Sequence, residues 1–342
     1  MLKKLLLSLL ILVGIAFLGV TQLQQRWQQP LAIAPEGYAL TVGAGETLRA
    51  LAKRLESDGV YRDGWMLRLY GRWTGLDQQI KRGEYLVPAG TNPETLLLLL
   101  KSGKVVSYQV TLPEGITLAR ALQILAEVPE LEHTLGGVED QRIRELIAPH
   151  SSPEGLFFPD SYQFERGASD LDILRRARTA MQRILEAEWQ GREEDLPYTD
   201  AYEALIMASI VERETGMASE RPEIAGVFVR RMHKNMRLQT DPTVIYGLGE
   251  AFDGNLKRSH LKDDSNPYNT YRHKGLPPSP IALPGRAAIH AALHPKEGST
   301  LYFVARGDGG HYFSDTLAEH QRAVRKYQLQ RRENYRSSPA PE

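Results

Sequence analysis

The sequence predicts a mixed α+β protein of 342 residues that begins with a membrane-spanning helix. Three observations carry this prediction. An apolar run, Leu5–Val20, follows two lysines at the N-terminus. Strand, glycine-turn and helix patterns then recur in the next part of the chain. A predicted helical hairpin in its second half is followed, near the C-terminus, by a predicted strand hairpin.

The composition excludes several classes of function. Lys+Arg and Asp+Glu each total 42, so the formal net charge is zero. A general nucleic-acid binder would need a basic surplus, and no nucleic-acid partner is expected. Because the chain has no cysteine, it cannot contain a disulfide framework, a thiol nucleophile or a thiolate metal site. The length is sufficient for two domains with appendages.

The N-terminus predicts a membrane anchor rather than a cleaved leader. Residues 1–4 carry the two lysines, and residues 5–23 are just long enough to cross a bilayer. A signal peptide is the alternative, because Ala32-Ile33-Ala34 mimics a cleavage site. This triplet lies too far beyond the apolar run. We therefore expect residues 1–4 in the cytoplasm, an anchor at 5–23, and the chain outside after a linker at 24–37.

A small domain is predicted at residues 38–106, where a weak internal repeat begins. Each copy reads as strand, glycine turn, threonine N-cap and helix. The three helical patterns start after Thr47, near Thr95 and after Thr117. This arrangement indicates small strand–helix units rather than one long helix.

Three aromatic residues of this region, Trp65, Tyr70 and Trp73, are candidates for stacking on sugars. Their spacing along one predicted helix is more typical of core residues. The sequence therefore favours a structural role for them.

The second half centres on a predicted helical hairpin. Asp200 is a plausible N-cap of its first arm, with Glu203 three residues later as in a capping box. Gly216 is expected to end that arm in a left-handed conformation. Ser219 is expected to cap the second arm, with Pro222 in its first turn.

Glu212 and Glu214 lie in the last turn of the first arm. A carboxylate there faces the negative end of the helix dipole, which raises its pKa and suits a general acid. A solvated charged patch is the simpler interpretation of these two residues. The segment that follows, Arg237–Gly249, favours a site instead, because it is predicted to be a loop rich in hydrogen-bonding side chains.

The rest of the chain predicts further elements. Helices are expected at Asp170–Trp189 and Arg286–Leu293, a strand hairpin at Leu301–Ala305 with His311–Phe313, and a helix capped by Thr316.

The stretch Glu154–Tyr162 is expected to form a turn with a core of Phe157, Phe158 and Tyr162. Glu154 and Asp160 are expected to face a cleft.

No metal or other cofactor is expected. The histidines do not form a His-Glu-Xaa-Xaa-His arrangement, and His233 and His294 are interpreted as structural. The sequence also lacks a Gly-Xaa-Ser-Xaa-Gly elbow and a phosphate-binding glycine loop.

Several separate motifs resemble the signature of the endolytic murein transglycosylases, the MltG or YceG-like family. They occur in the family's order and extend from the apolar N-terminus to about Tyr327. The motifs are EGLFFPDSY (Glu154–Tyr162), ASIVERET (Ala208–Thr215), ASER (Ala218–Arg221), MRLQTDPTVIYGLG (Met236–Gly249), YNTY (Tyr268–Tyr271), GLPPSPIALPG (Gly275–Gly285) and HP (His294–Pro295).

The resemblance implies a catalytic residue and a domain plan. In the family the catalytic glutamate directly precedes a threonine, and this glutamate corresponds to Glu214. Glu212 is the weaker candidate. Arg213 departs from the lysine that is frequent there, but it keeps the charge. The resemblance also implies a LysM-like glycan-binding subdomain at 38–106, although the same capping pattern occurs without glycan binding. A YceG-like catalytic domain at 107–335 and a disordered tail at 336–342 complete the plan.

The implied activity is a lyase reaction on peptidoglycan. Glu214 would protonate the leaving oxygen of the β-1,4 bond after N-acetylmuramic acid, and the muramic C6 hydroxyl would then attack, leaving a 1,6-anhydro end. Expected partners are glycan strands, the cell membrane and peptidoglycan synthases, whose nascent strands the enzyme would terminate. The residues expected to contact sugar are Gln239, Asp241, Thr243, Tyr246, Tyr268 and Asn269.

Two alternatives stay open at this point. One is a muramidase that uses a second carboxylate, for which Asp241 or Asp160 is the candidate. The other is a non-catalytic membrane tether that holds glycan through the LysM-like part.

Overall fold

The computed structural model describes residues 2–329. Met1 and residues 330–342 lie outside the described part, and so does the tail predicted at 336–342. The chain forms two compact units. The first comprises residues 1–108 and the short segment Gln163–Gly167, and the second comprises Gln109–Tyr162 and the chain from Ala168 onward.

The first helix, α1, spans Leu2–Gln28. Its part from Ser8 to Gln28 is long and apolar enough to cross a membrane. The apolar side chains described along it are exposed, for example Leu10 and Phe17. This helix fits a membrane anchor, and a signal sequence would meet the same criteria.

The first unit is built on an antiparallel strand pair. Strand β1, Tyr38–Val42, is followed by α2, Leu48–Ser57, and α3, Gly64–Thr74, before β2, Gly83–Val87, returns beside β1. In this register the Cα of Tyr38 is opposite that of Val87 and Val42 is opposite Gly83. Helix α4, Pro93–Ser102, completes the unit, whose core includes the fully buried Tyr85.

The predicted threonine caps are confirmed at two of three positions. Thr47 accepts a hydrogen bond from the Ala50 backbone N–H at the start of α2, and Thr117 caps α5, Leu118–Ala126, in the same way. Helix α4 is capped by Asn92 instead, with Pro93 in its first turn. Asparagine offers the same acceptor oxygen to an unpaired N–H group.

The prediction that all three aromatic residues of α3 belong to the core is wrong for two of them. Trp65 is 44% exposed and Trp73 is 81% exposed, while Tyr70 is partly buried. Helical spacing alone does not say which face of a helix meets a neighbour.

Strand β3, Ser107–Thr111, pairs with β4, Ser161–Glu165. The described elements that lie wholly in the second unit are mostly helices, with a C-terminal strand hairpin formed by β5, Tyr302–Ala305, and β6, His311–Ser314. They are α5 (Leu118–Ala126), α6 (Gln141–Ile147), α7 (Asp170–Gln190), α8 (Ala201–Glu214), α9 (Arg221–His233), α10 (Asp241–Leu248), α11 (Arg286–Leu293), β5 (Tyr302–Ala305), β6 (His311–Ser314) and α12 (Leu317–Val324).

The second unit is organised around α8. Every residue from Ala204 to Val211 is buried, so this helix is covered on all sides. Helices α7, α9, α10 and α11 pack against it. The predicted N-cap is confirmed, because the Asp200 carboxylate accepts a hydrogen bond from the Glu203 N–H at 2.9 Å. Enclosure of the whole helix fixes its last residue, Glu214, within the fold.

The link between α8 and α9 differs from the prediction. The chain leaves α8 in an extended conformation at Thr215, with φ −142° and ψ 136°, and Gly216 is not left-handed. A short 3-10 turn at Ala218–Glu220 precedes α9. Glu220, not Ser219, is the N-cap, and Pro222 lies in the first turn as predicted. The Thr215 hydroxyl accepts a hydrogen bond from the Met217 N–H at 3.0 Å and so stabilises this extended link.

The segment predicted as a loop, Arg237–Gly249, contains a helix. Helix α10 begins at Asp241, and Pro242 lies in its first turn. Proline is compatible with this position because the first N–H groups of a helix lack an internal partner. The other predicted elements of this unit are confirmed, including the strand hairpin and the capping box from Thr316 to Glu319.

Candidate active site

Glu214, the last residue of α8, lies beside the N-terminus of α10. The Thr240 hydroxyl donates a hydrogen bond to its Oε1. Burial is the largest cause that raises the pKa of Glu214 to about 7. The Asp241 carboxylate contributes to this rise, while the Thr240 hydrogen bond and the Arg231 guanidinium oppose it. The residue keeps part of its surface exposed. A carboxyl that is protonated near neutral pH and still accessible is suited to donate a proton.

Thr240 is held in place by two other threonines, Thr243 and Thr270. Its backbone N–H donates to Thr270 Oγ1 at 3.1 Å. The Thr243 hydroxyl lies 2.8 Å from the Thr240 carbonyl oxygen and 2.9 Å from Thr270 Oγ1. Thr240, Thr243 and Thr270 are all buried. Because the Thr243 and Thr270 hydroxyls hold the Thr240 backbone, the Thr240 side chain is fixed toward Glu214.

Gln239 precedes this cluster in a left-handed conformation, with φ 54°. Its backbone N–H donates to the Thr270 carbonyl oxygen at 3.2 Å, and the residue is exposed. A non-glycine residue with positive φ is uncommon and often belongs to a functional segment. The exposed side chain of Gln239 is therefore available to a ligand next to Thr240 in the chain.

Asp241 is exposed and pairs with a tyrosine. The Tyr271 hydroxyl donates to Asp241 Oδ1 at 2.7 Å. Burial, followed by the nearby Asp241 carboxylate, raises the pKa of Tyr271 well above its ordinary value. Tyr271 therefore stays a neutral donor and orients the carboxylate next to Glu214.

Glu154 forms a second enclosed carboxyl in the same unit. It is 5% exposed, and burial raises its pKa to about 7. The Leu118 N–H donates to its Oε1 at 2.9 Å, and the Tyr246 hydroxyl donates to its Oε2 at 3.3 Å. Glu154 is therefore buried and does not face a cleft, contrary to the sequence prediction. Asp160 is exposed.

Tyr246 and Tyr268 form an aromatic pair with ring centroids 4.9 Å apart and an edge-to-face geometry. The Tyr268 hydroxyl lies 2.7 Å from Ser279 Oγ. Both tyrosines keep partial exposure, which leaves aromatic surface for a ligand.

Two of the six residues predicted to contact sugar are fully enclosed. Thr243 and Asn269 are both 0% exposed. Asn269 Nδ2 donates to the carbonyl oxygens of His260 at 3.1 Å and Asp263 at 2.7 Å. Their polar atoms serve the scaffold in this structure. The other four, Gln239, Asp241, Tyr246 and Tyr268, keep exposed surface.

Glu212 has a different environment from Glu214. Its Oε1 lies 2.8 Å from Arg221 Nη2, and its Oε2 accepts the Gly285 N–H at 3.0 Å. Only 5% of the Glu212 side chain and 10% of the Arg221 side chain are exposed. Burial raises the pKa of Glu212, and the Arg221 charge opposes this shift most strongly. Glu212 thus ties α8 to α9 and to the segment before α11.

Sequence reasoning did not single out Arg231, Thr270 or Tyr271, although the last two belong to the YNTY motif. Arg231 is buried and donates to the Leu301 carbonyl oxygen at 2.6 Å and to the Leu238 carbonyl oxygen at 2.7 Å. No local pattern marks an arginine in a helix as the neighbour of an acid that lies in another helix.

A group of possible metal ligands was also missed. Glu188, His290 and His294 each place a ligand atom close to the others. The two histidines are four residues apart, a spacing that one helical turn brings together. Glu188 accepts hydrogen bonds from Arg286 and His290, both at 2.8 Å. These contacts already neutralise the carboxylate.

The amino-acid sequence is similar to a known family and to proteins of known activity. The model of the YceG-like family matches residues 40–326. The chain is 30% identical over 306 residues to an endolytic murein transglycosylase of Bacillus subtilis (strain 168), covering 84% of each protein. It is 26% identical over 324 residues to an endolytic murein transglycosylase of Streptococcus pneumoniae (strain D39), covering 84% of this chain and 58% of that protein.

A solved structure is also similar. A yceG-like protein from Listeria monocytogenes shares 28% sequence identity with a TM-score of 0.54, over 84% of this chain and 99% of that one. The likeness in fold and the family match thus each cover most of the sequence.

Proposed function

The chain belongs to the YceG-like family, and on that premise we propose that it is an endolytic lytic transglycosylase of peptidoglycan with Glu214 as its catalytic acid. The observation that carries the proposal is the environment of Glu214. Its carboxyl is enclosed, has a pKa of about 7 and is held by Thr240 at the start of α10. An acid of this kind is half protonated near neutral pH, where general acid catalysis is most effective.

The reaction needs one carboxyl in two successive roles. Protonated Glu214 gives its proton to the glycosidic oxygen as the bond from that oxygen to the muramic anomeric carbon breaks. The resulting carboxylate takes the proton of the muramic C6 hydroxyl, and O6 forms a new bond to the anomeric carbon. The product ends in 1,6-anhydro-N-acetylmuramic acid. Water is not consumed, and Glu214 finishes protonated as it began.

The other carboxylates near α8 favour this single-acid mechanism. Glu212 is occupied by Arg221 and by the Gly285 N–H. Glu154 is buried and accepts a hydrogen bond from the Tyr246 hydroxyl. Asp241 follows Thr240 directly and raises the pKa of Glu214. It is the residue that a two-carboxylate muramidase would use, and Asp160 is the second candidate for that alternative.

We propose that sugar rings contact the exposed members of the predicted set. Gln239 and Asp241 offer polar groups beside Glu214, and Tyr246 and Tyr268 offer aromatic surface. Thr243 and Asn269 act indirectly, because they hold the segments that carry these residues.

The setting of the enzyme is proposed from its N-terminus. Helix α1 anchors the chain as a single span of the cytoplasmic membrane, and the chain that follows it lies on the outer side of this membrane. The βααβ order of the first unit, β1-α2-α3-β2, supports a LysM-like subdomain. At this position the enzyme would terminate nascent glycan strands close to their synthases.

Product analysis tests the proposal. Purified full-length protein is incubated with uncrosslinked glycan strands in water enriched with heavy oxygen. Anhydro ends without label are expected, because the sugar's own hydroxyl replaces water as the nucleophile. Labelled reducing ends would establish a muramidase, and intact strands would establish a tether that binds glycan without cleaving it.

A further inference from the structure

We propose that the face of α3 that carries Trp65, Leu69 and Trp73 docks onto the outer surface of the bilayer that α1 crosses. The inference goes beyond glycan cleavage and rests only on the proposed membrane anchor. It gives the first unit a fixed position at the lipid surface.

The three residues form one apolar stripe. They are spaced four residues apart on an α-helix and therefore lie on the same face. Trp65 is 44% exposed, Leu69 is 63% exposed and Trp73 is 81% exposed. Contiguous exposed apolar surface of this kind indicates a contact with a partner or a membrane.

The stripe is continuous with the end of α1. The Trp27 and Tyr70 rings lie 4.5 Å apart between their centroids, and Tyr70 lies 6.0 Å from the Trp73 ring. Val20 and Leu23 of α1 line the same groove as Trp65 and Trp73. This groove has a volume of about 790 Å³. The occupant of the groove must therefore also surround the last turns of α1.

The predicted span of α1 contains Val20 and Leu23 and ends before Trp27, which places this groove at the boundary between the hydrocarbon and the lipid head groups. A bilayer core of about 30 Å is crossed by about 20 helical residues. A span that begins at Leu5 ends near Gln24, so Trp27 lies just above the hydrocarbon. Tryptophan is enriched at this depth, because its ring is apolar and its N–H can reach water or head groups.

The charges beside the stripe suit phospholipid. Arg62, Arg68 and Arg72 are exposed, and the last two lie on α3 itself. Arg26 at the end of α1 is 3.7 Å from Asp63. Guanidinium groups bind phosphate oxygens well, and basic residues near an anionic surface are attracted to it.

A glycan is a poorer occupant for this groove. Sugar sites combine aromatic faces with several hydrogen-bonding groups that fix the hydroxyls. Apart from indole N–H groups, Gln24 and Tyr70 are the lining residues with polar side chains. The Tyr70 hydroxyl already donates to Glu94 at 2.8 Å.

Fluorescence quenching tests the docking. The chain contains four tryptophans, so four full-length variants each keep one of them and carry phenylalanine at the other three positions. Each is reconstituted in vesicles of phosphatidylethanolamine and phosphatidylglycerol, with or without bromine on the acyl chains. The variants that keep Trp65 or Trp73 are expected to lose most of their emission with brominated lipid and to resist quenching by aqueous iodide.

The other two variants are the controls. Trp27 reports whether α1 is inserted, so its quenching by bromine verifies the anchor independently of the docking. Trp189, which has the Arg192 guanidinium 4.0 Å from its ring, serves as the reference from the second unit. If Trp27 were quenched by bromine while Trp73 responded only to iodide, the docking would be overturned. Protection of Trp73 from iodide by soluble glycan fragments, without quenching by bromine, would also overturn it.

Discussion

The Thr240 hydroxyl donates a hydrogen bond to the Glu214 carboxylate, although the two residues are 26 positions apart in sequence. This contact joins the end of α8 to the start of α10. It lowers the pKa of Glu214, whereas burial and Asp241 raise it. The acid strength of Glu214 is therefore set by burial together with Thr240, Asp241 and Arg231, and these three side chains can be changed one at a time.

Replacement of Glu214 should remove catalysis without loss of stability. Glu214→Gln is nearly isosteric and takes away the transferable proton, so the cleavage rate should fall by about 10²-fold to 10⁴-fold. The melting temperature should not decrease. Anhydro-end release and a thermal melt of the same preparation measure the two effects.

Glu212→Gln is the matched control for that variant. It leaves the buried Arg221 without its closest carboxylate, so it should lower the melting temperature while the remaining product still carries anhydro ends. The assignment of the catalytic acid would be wrong if Glu212→Gln abolished cleavage and Glu214→Gln did not.

The rate should depend on pH through Glu214. The protonated carboxyl is the active acid, so activity should fall as the pH rises through about 7. Asp241→Asn removes a charge that raises this pKa and should shift the alkaline limb of kcat to lower pH. Thr240→Val removes a hydrogen bond that lowers it and should shift the limb to higher pH. Shifts in the same direction for both variants would contradict this origin of the pKa.

Stability should depend on pH through Glu154. Its pKa in the folded state is about 7, above the ordinary value of about 4.3 for glutamate. The stabilising effect of the protonated form is complete below the ordinary value and is lost as the pH rises through about 7. Glu154→Gln should therefore gain melting temperature relative to the unsubstituted protein between about pH 5 and about pH 8. An unchanged difference between the two proteins would argue against a buried, titrating Glu154.

The Glu212–Arg221 pair should contribute strongly to the stability of the second unit. Arg221→Met leaves a buried carboxylate without its partner, which costs about 3–5 kcal/mol in comparable cases. Arg175→Met is the control, because the Arg175–Asp172 pair is exposed at 56% and 50% and such pairs contribute about 0–1 kcal/mol. Chemical denaturation measures both. Equal losses would show that burial does not govern the Arg221 contact.

The membrane topology can be checked in cells. A protease added outside intact spheroplasts should digest the second unit and leave a short fragment that contains α1. The mature protein should retain the residues before Pro35, as mass determination would reveal. A protected second unit, or a chain that starts near Pro35, would contradict the anchor.

The sequence by itself determined the elements that depend on neighbouring residues. Caps such as Asp200 and Thr47 and the strand hairpin at the C-terminus follow from contacts within a few positions. The YceG-like motifs identified the family and singled out Glu214. Even within this range, the predictions for Gly216 and Ser219 were wrong, because the chain leaves α8 extended at Thr215 and enters α9 through a short 3-10 turn.

Only the tertiary structure decided which acid has which environment. Glu212 and Glu214 are two residues apart in one helical turn, yet one binds Arg221 and the other meets Thr240. The same holds for the exposed stripe of α3 and for the buried Thr243 and Asn269. Burial and long-range hydrogen bonds depend on which helices pack together, and that packing is fixed by contacts between residues far apart in the sequence.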